Sequence, residues 1–352
     1  MSESIVDDRR PAGVEGLMSQ YKLSYAGMIG TGGIGTGNYF KINGDSTLGR
    51  EESRSGRFLE RRDYCKLHII CHYIKALLGD PFVVLPIGKV GDDEIGTELL
   101  GEMLEHGLDL RFVSAAEGFS TLYSFCFLYP DGSGGNLTTD NSASTEVDAV
   151  SIDNADAMMA ELGSKGIALA APEVPLATRL RLLERAGEHK MFRVASFTTE
   201  EIPRLQDADL GSIVELIALN ESEAAAFLGE VSRKAQPREM VSALAEQYPS
   251  LQISMTAGAR GSWSRDGDRL THVPAAPVEV ETTGGAGDAH LAGIIAGIVT
   301  GLSLADAQRV GSVMAAASVR SPHTINFEVT REELAQITML TPELGGVREL
   351  FC

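Results

Sequence analysis

The strongest constraint on the fold is a regular alternation between short apolar runs and amphipathic segments. Apolar runs at 82–88, 166–172 and 251–258 have the length of buried strands. Segments of helical periodicity lie between such runs, and one of them, 63–79, ends at a glycine. Repeated strand–helix units are typical of a mostly parallel sheet with helices on both faces. We therefore expect an α/β fold of three layers.

One segment, residues 111–145, departs from this alternation. It contains β-prone runs, the turn sequence PDGSGG and no helical pattern, which favours antiparallel hairpins. We predict that it forms a small β lid, to which part of 36–58 also contributes. Residues 1–20 lack the apolar stretch of a signal peptide and are expected to be a mobile extension. Residues 21–352 would then form a single domain.

The composition excludes several classes of partner. The formal net charge is −19, from 49 acidic against 30 basic residues. Such an acidic surface repels phosphate backbones, so we expect no nucleic acid partner. No apolar run approaches the roughly 20 residues needed to cross a bilayer, so we expect no membrane partner. The four cysteines lack the spacing of metal ligands, which favours reduced thiols and a cytoplasmic location.

A glycine run at 27–37 matches the dinucleotide-binding pattern G-x-G-x-x-G through Gly30, Gly32 and Gly35. That pattern requires a helix that begins at the last glycine. The residues that follow, 36–56, contain too many glycines and asparagines for a helix. The sequence therefore favours a flexible turn, or a glycine-rich wall against which a substrate lies, over a nicotinamide cofactor site.

Residues 278–301, VEVETTGGAGDAHLAGIIAGIVTG, combine a β-prone run, a glycine turn and an apolar helix. Small residues at 284–287 allow the backbone to present several N–H groups at a helix N-terminus, which favours a bound anion. Asp288 follows at the start of the helix, where a carboxylate can take the proton from an attacking hydroxyl. The alternative is an ordinary strand–turn–helix in which Asp288 is an N-terminal helix acid.

This stretch resembles the signature of the PfkB/ribokinase family of carbohydrate and nucleoside kinases, D-T-x-G-A-G-D. The resemblance implies a ribokinase-like fold with Asp288 as the catalytic base. It also implies an anion hole formed by the backbone of Gly285, Ala286 and Gly287.

The first two positions of the signature differ in how well they match. Thr283 matches the family threonine and is implied to contribute to cofactor binding. Thr282 stands where the family usually has an aspartate, which helps form a monovalent-cation loop in some members. This replacement puts a dependence on potassium in doubt.

Two further segments follow in the family's order. Asn220 and Glu223 match an N-x-x-E motif that influences Mg²⁺ in relatives, and Thr256, Gly258 and Gly261 match the nucleotide loop T-x-G-x-x-G. The resemblance therefore implies ATP and Mg²⁺ as cofactors. From the residues alone, Asn220 and Glu223 also fit a capping box, and Thr256 could precede any turn that ends a strand.

The chain departs from the family on the substrate side. Cys65 and Lys66 stand at the usual glycine pair, so no sugar specificity can be transferred. We hypothesise that Asn43, Asp45 and Arg50 contact the substrate, with Asp45 accepting hydrogen bonds from hydroxyl groups. Five arginines within 50–62 either hold a phosphate or carboxylate of the substrate, or pair with neighbouring acids on a solvated face.

Together these patterns predict an ATP-dependent phosphotransferase that acts on a hydroxyl of a sugar or sugar derivative. A nucleoside kinase of the same family, and a non-catalytic sugar- or nucleotide-sensing module on the same fold, are alternatives. The expected partner is a small sugar-like molecule. A homodimer is suggested by the resemblance alone, because lids of this kind pair in some relatives.

Overall fold

A large, mostly parallel sheet forms the centre of the computed structural model, which describes residues 14–18, 21–44, 47–130, 134–205, 209–229 and 235–352. The strands are β1 (Gly27–Thr31), β2 (Gly35–Ile42), β3 (Gly56–Tyr64), β4 (Val83–Gly91), β5 (Phe112–Ala116), β6 (Leu122–Leu128), β7 (Gly134–Thr138), β8 (Gly166–Ala170), β9 (Phe192–Ser196), β10 (Leu216–Asn220), β11 (Gln252–Thr256), β12 (Ser262–Asp266) and β13 (Arg269–Val273). The large sheet has the order β13-β12-β11-β10-β9-β8-β1-β4-β5. Among the strand pairs that the structure describes in this sheet, β11–β12 and β12–β13 are antiparallel and the others are parallel. The prediction of a mostly parallel sheet is confirmed.

Helices cover both faces of this sheet. They are α1 (Lys66–Leu78), α2 (Glu94–Glu105), α3 (Ala149–Asp153), α4 (Asp156–Leu162), α5 (Leu176–Glu188), α6 (Leu210–Ile213), α7 (Glu221–Leu228), α8 (Pro237–Gln247), α9 (Ala286–Val299), α10 (Leu304–Ser318) and α11 (Arg331–Ile337). Apolar side chains of α1, α9 and α10 form one continuous core with β1 and β4, whereas α5, α7 and α8 pack over β9–β11. The three-layer arrangement follows from these two cores.

A second, small sheet of four strands lies beside the large one, in the order β3-β2-β6-β7. We call it the small sheet. The predicted lid segment 111–145 is thus divided between the two sheets. Residues 112–116 form β5, which pairs in parallel with β4 at the edge of the large sheet, whereas β6 and β7 join the small sheet. The crossover through α2 returns the chain beside β4, which explains why β5 extends the parallel sheet.

Helix α9 is apolar on nearly all sides because it is buried between α1 and α10. Its glycines allow a close approach to α10: a Cβ atom on Gly293 would lie 2.7 Å from the Cα of Gly311. A Cβ on Gly297 would likewise lie 2.8 Å from the Cα of Ala307. This close packing holds the N-terminus of α9 in a fixed position next to the sheet.

Part of the chain's beginning packs against this core. The N–H groups of Leu17 and Met18 donate to the carbonyls of Ala76 and Leu77, and Met18 is buried. The rest of the predicted extension, apart from 14–18, lies outside the described residues. Among the helices that the structure describes, none has both the length and the apolar character of a membrane span.

Candidate functional site

The turn before α9 is built around Gly285, which caps the helix in the left-handed conformation with φ 75°. A side chain is excluded here for a second reason, because a Cβ atom would lie 2.5 Å from the carbonyl oxygen of Thr324. Thr282 supports the turn from within, since its hydroxyl accepts a hydrogen bond of 3.2 Å from the N–H of Gly284. The threonine at this position therefore has a structural role in closing the turn.

The first turn of α9 presents free backbone donors. The N–H of Ala286 lies 3.4 Å from the carbonyl of Thr283, whereas the N–H groups of Gly287 and Asp288 make no hydrogen bond to the described residues. Unpaired N–H groups at the start of a helix, together with the helix dipole, favour a negatively charged ligand. The turn can therefore hold an anion.

The Asp288 carboxylate lies at the mouth of this turn with its side chain 15% exposed, and Oδ2 is 3.7 Å from the Lys66 ammonium nitrogen. Burial raises the pKa of Asp288, and the nearby Lys66 charge opposes this shift. The same ion pair raises the pKa of Lys66. Lys66 is the first residue of α1 and directly follows Cys65, so the end of β3 places it opposite the start of α9.

Glu173 lies after β8 in a strained backbone conformation, with φ 79°. Its Oε2 accepts a hydrogen bond of 3.0 Å from the backbone N–H of Lys66, and burial raises its pKa to about 7. Gly33 leaves space for this carboxylate, because a Cβ there would lie 2.3 Å from Oε2. A non-glycine residue held in this conformation is commonly associated with function.

The small sheet contributes a third group of side chains. Asp63 on β3 is 8% exposed, and the thiol of Cys126 donates to its Oδ2 over 3.4 Å. Burial raises the pKa of Asp63, an effect opposed by the Cys126 hydrogen bond and the Lys66 charge. Tyr39 on β2 reaches the glycine turn, since its hydroxyl oxygen is 2.7 Å from where a Gly284 Cβ would stand. The small sheet therefore contacts the turn directly.

A cleft of about 260 Å³ adjoins Asp288 at the carboxyl ends of the parallel strands. Ligands bind at this edge of α/β sheets in general. The cleft brings together most of the residues that the sequence predicted for the nucleotide and the reaction. Its lining includes Lys66, Asn220, Glu223, Thr256, Thr283, Gly285, Gly287 and Asp288.

The residues predicted to bind the nucleotide lie at the ends of strands and in turns. Asn220 caps α7 and forms a full capping box with Glu223, with hydrogen bonds of 2.8 and 2.9 Å. Thr256 ends β11, and its hydroxyl lies 3.5 Å from the carbonyl of Leu219. Gly258 and Gly261 both have positive φ, of 55° and 87°, which explains why glycine occurs at both positions.

The structure does not bring the predicted substrate residues to this cluster. Asn43 is exposed in the β2–β3 connection, where its amide donates to the hydroxyl of Ser55. It lies four residues beyond Tyr39, or about 13 Å along an extended strand. Arg50 is exposed in the same connection, and Asp45 lies outside the described residues. Their contact with a substrate stays a prediction.

Three of the five clustered arginines pair within the protein. Arg54 donates to Glu52, Arg61 lies 3.6 Å from Glu281, and Arg62 pairs with carboxylates of α2. These pairings favour a structural role for the three side chains. They fit the alternative in which the arginines pair with acids of the protein, although the partners of Arg61 and Arg62 are distant in sequence.

Four side chains near the turn were not identified from the sequence: Tyr39, Asp63, Lys66 and Glu173. Glu173 carried a usable signal, because it is a carboxylate directly after the buried strand GIALAAP. Lys66 was noted only as a departure from the family's glycine pair. Tyr39 and Asp63 required the register of the small sheet, in which Asp63 lies opposite Gly37.

The glycine run at 27–37 spans the chain's first strand, β1, and the start of β2, and does not form a dinucleotide turn. β2 begins at Gly35 where a dinucleotide site requires a helix. A Cβ on Gly32 would lie 2.8 Å from the Cβ of Ala171, so the chain passes close to its neighbours here. The strand at this position argues against a nicotinamide cofactor site, and the glycines allow close packing within the protein. Contact of this run with a substrate stays a prediction.

Comparisons with known proteins identify the family and the fold of the chain. The family model for pfkB family carbohydrate kinases matches residues 71–331. A sugar kinase of Escherichia coli K12 described as uncharacterised, YegV, is 30% identical over 115 residues, which is 33% of this chain and 36% of that protein.

Solved structures share the fold across most of both chains. A ribokinase from Cryptococcus neoformans in complex with ADP has a TM-score of 0.69 at 20% identity, covering 92% of this chain and 99% of that one. A nucleoside kinase from Burkholderia thailandensis in complex with inosine also has a TM-score of 0.69, at 18% identity, covering 89% and 97%. The predicted ribokinase-like fold is confirmed, and the chain belongs to the pfkB family of carbohydrate kinases.

Proposed function

We propose that the protein transfers the γ-phosphate of ATP to a hydroxyl group of a sugar or sugar derivative. One observation carries this proposal: the Asp288 carboxylate lies beside unpaired N–H groups at the start of α9, at a cleft that also includes Asn220 and Thr256. A base and an anion site in one turn are the two elements that phosphoryl transfer to an alcohol requires. Membership of a kinase family supports the same reaction.

Asp288 would act as the general base. Burial raises the pKa of its carboxyl group and so makes the carboxylate a stronger base, whereas the Lys66 ammonium opposes this shift and favours the ionised form. An acceptor hydroxyl that donates a hydrogen bond to Asp288 would therefore lose its proton as its oxygen attacks phosphorus.

The backbone and Lys66 would stabilise the charge that develops. The N–H groups of Gly287 and Asp288 are held by the close packing of α9, so they require little rearrangement during the reaction. Lys66 adds a positive charge 3.7 Å from Asp288, which places it near both the base and the transferred group.

The residues at the cleft also fit Mg²⁺. One oxygen of Glu223 accepts the capping hydrogen bond, and its other oxygen accepts none from the described residues. Mg²⁺ is usually held by one or two carboxylates together with waters and substrate phosphates, so Glu223, hydrogen-bonded to Asn220, would act on the ion indirectly through waters. When bound, the ion would neutralise phosphate charge.

We further propose that the small sheet acts as a lid over the acceptor. Tyr39 already reaches the glycine turn, and Arg61 ties β3 to Glu281, just before that turn. A sheet held in this position would exclude water from Asp288 and so limit hydrolysis of ATP without an acceptor.

The proposal is tested by measuring the consumption of ATP by the purified protein with Mg²⁺ and a panel of acceptors. The panel contains neutral sugars, sugar acids, sugar phosphates and nucleosides, and each reaction is compared with one that lacks the acceptor. We expect acceptor-dependent formation of ADP and a phosphorylated product with one class of sugar. Turnover with nucleosides alone would favour the nucleoside kinase alternative. Nucleotide binding without turnover on any acceptor would contradict the proposal and favour the sensing module.

A further inference from the structure

The small sheet carries two opposed cations on the face that meets the active site. Lys41 on β2 lies directly opposite Arg57 on β3. Lys41 is two residues beyond Tyr39, and β2 pairs with β6 without interruption, so both side chains leave the strand on the same face. Asp63 belongs to this face as well, because the Cys126 that donates to it is paired with Tyr39.

Within the part of the chain that the structure describes, this cation pair is not neutralised. Neither Lys41 nor Arg57 forms an ion pair or a side-chain hydrogen bond with any described residue, although the chain carries a net charge of −19. Other arginines of the same strand do find partners, since Arg61 pairs with Glu281 and Arg62 with Glu102. Like charges directly opposite each other destabilise a pair of strands, and a bound ligand of opposite charge would relieve this repulsion.

The other end of this face, next to Lys66, carries an excess of negative charge. Around the single Lys66 ammonium lie four carboxylates, those of Asp63, Glu173, Glu223 and Asp288. An anionic group of an acceptor would be repelled from this end and attracted to the other. The two ends are separated by four residues of β2, or about 13 Å, part of which the long side chains of Lys41 and Arg57 can span.

We propose that Lys41 and Arg57 form a subsite for an anionic group of the acceptor, and that the acceptor is a polyhydroxylated anion such as a sugar acid or a sugar phosphate. This inference rests on the proposed function and specifies its substrate class. The anionic group binds at the cation pair, and the reacting hydroxyl then faces Asp288. Hydroxyl groups between the two ends lie within the region of Tyr39 and Asp63.

The test uses matched acceptors and a charge-removing variant. Neutral sugars are compared with the corresponding sugar acids and sugar phosphates, using the wild type and the Lys41→Gln/Arg57→Gln double variant. Arg238→Gln, which removes an exposed charge on α8, serves as the control. For the anionic acceptor we expect the double variant to raise KM by about 10- to 100-fold with little change in kcat. The control should leave both constants unchanged.

The acceptor preferences of the wild type and the double variant test the subsite. A preference for sugar acids or for sugar phosphates identifies which anion the subsite takes. A wild type that prefers neutral sugars, or a double variant that alters neutral and anionic acceptors equally, overturns the inference and leaves the proposed function intact.

Calorimetric titration of the same sugar acids and sugar phosphates without ATP separates the two proposals. Binding that is lost in a folded double variant supports the subsite even when no turnover occurs, in which case only the proposed function fails. Absence of binding and of turnover with every anionic acceptor overturns the subsite.

Discussion

The phosphoryl side and the acceptor side of the candidate site are built in different ways. On the proposed phosphoryl side, one contiguous segment, 282–288, supplies the turn, N–H groups that are unpaired among the described residues, and the proposed base. On the acceptor side, Tyr39, Asp63, Lys66 and Glu173 come from segments that are distant in sequence and meet only in the fold. The first side is fixed by backbone geometry, and the second by the packing of charged side chains.

Because of this difference, we expect the turn before α9 to serve the phosphoryl transfer and the side chains of the acceptor side to select the acceptor. Backbone donors at the start of a buried helix provide a site for any phosphoryl group, so this part can serve many acceptors. The proposed acceptor side also depends on side chains from separate segments, some of which, such as Tyr39, contact the turn before α9. Fold alone therefore does not specify the acceptor, and the acceptor side must be tested separately.

Lys66 lies between the two sides, and its replacement should lower activity more than the replacement of Gly285 on the phosphoryl side. In Lys66→Met the charge near Asp288 is lost, and we expect kcat/KM to fall by about 100- to 1,000-fold. Because Lys66 opposes the rise in the pKa of Asp288, its removal raises that pKa further. The acid limb of the pH–rate profile should therefore move to higher pH. Lys22→Met, at an exposed position, is the control. An unchanged acid limb would show that the two sides act independently.

The phosphoryl side can be disturbed alone through Gly285→Ala. Alanine is disfavoured at φ 75°, and its Cβ would lie 2.5 Å from the Thr324 carbonyl oxygen, so the turn must shift. We expect a loss of stability of about 1–3 kcal/mol and a fall in kcat of about 100-fold. Denaturant unfolding and steady-state kinetics measure these effects. Gly101→Ala on α2, where a side chain meets nothing within 4 Å, should retain full activity. Normal activity in Gly285→Ala would argue against a fixed anion site.

On the acceptor side, the buried Glu173 should make the free energy of unfolding depend on pH. Burial raises the pKa of Glu173 to about 7, so the folded state holds a proton that the unfolded state has already released. The free energy of unfolding therefore falls as the pH rises from about 4.5 to 7, by up to about 3 kcal/mol. Glu173→Gln should be more stable than the wild type at pH 8 and gain little at pH 4.5.

Thermal unfolding at the two pH values measures this effect. Glu117→Gln, at an exposed position, should show no such dependence. An equal change in Tm of Glu173→Gln at both pH values would mean that burial does not raise the pKa of Glu173.

The same contrast explains what the sequence could predict. Strands and helices, and the turn at Gly285 with Asp288, were predictable because apolar periodicity and glycine spacing are local signals. The course of β5 was not, because the runs of 112–116 and 122–128 look alike and only the α2 crossover assigns β5 to the large sheet. Asp63 was hidden within an arginine-rich stretch, and its proximity to Lys66 depends on how β3 continues into α1.

The most direct test of the central claim compares the transfer of labelled γ-phosphate from ATP in the wild type and in Asp288→Asn, with nucleotide affinity measured on the same samples. Asp268→Asn, at a fully exposed position, controls for the loss of a carboxylate. We expect Asp288→Asn to lower the rate of transfer by about 100- to 10,000-fold and to leave the affinity for ATP nearly unchanged. Transfer at a near-normal rate in Asp288→Asn would contradict the assignment of Asp288 as the base.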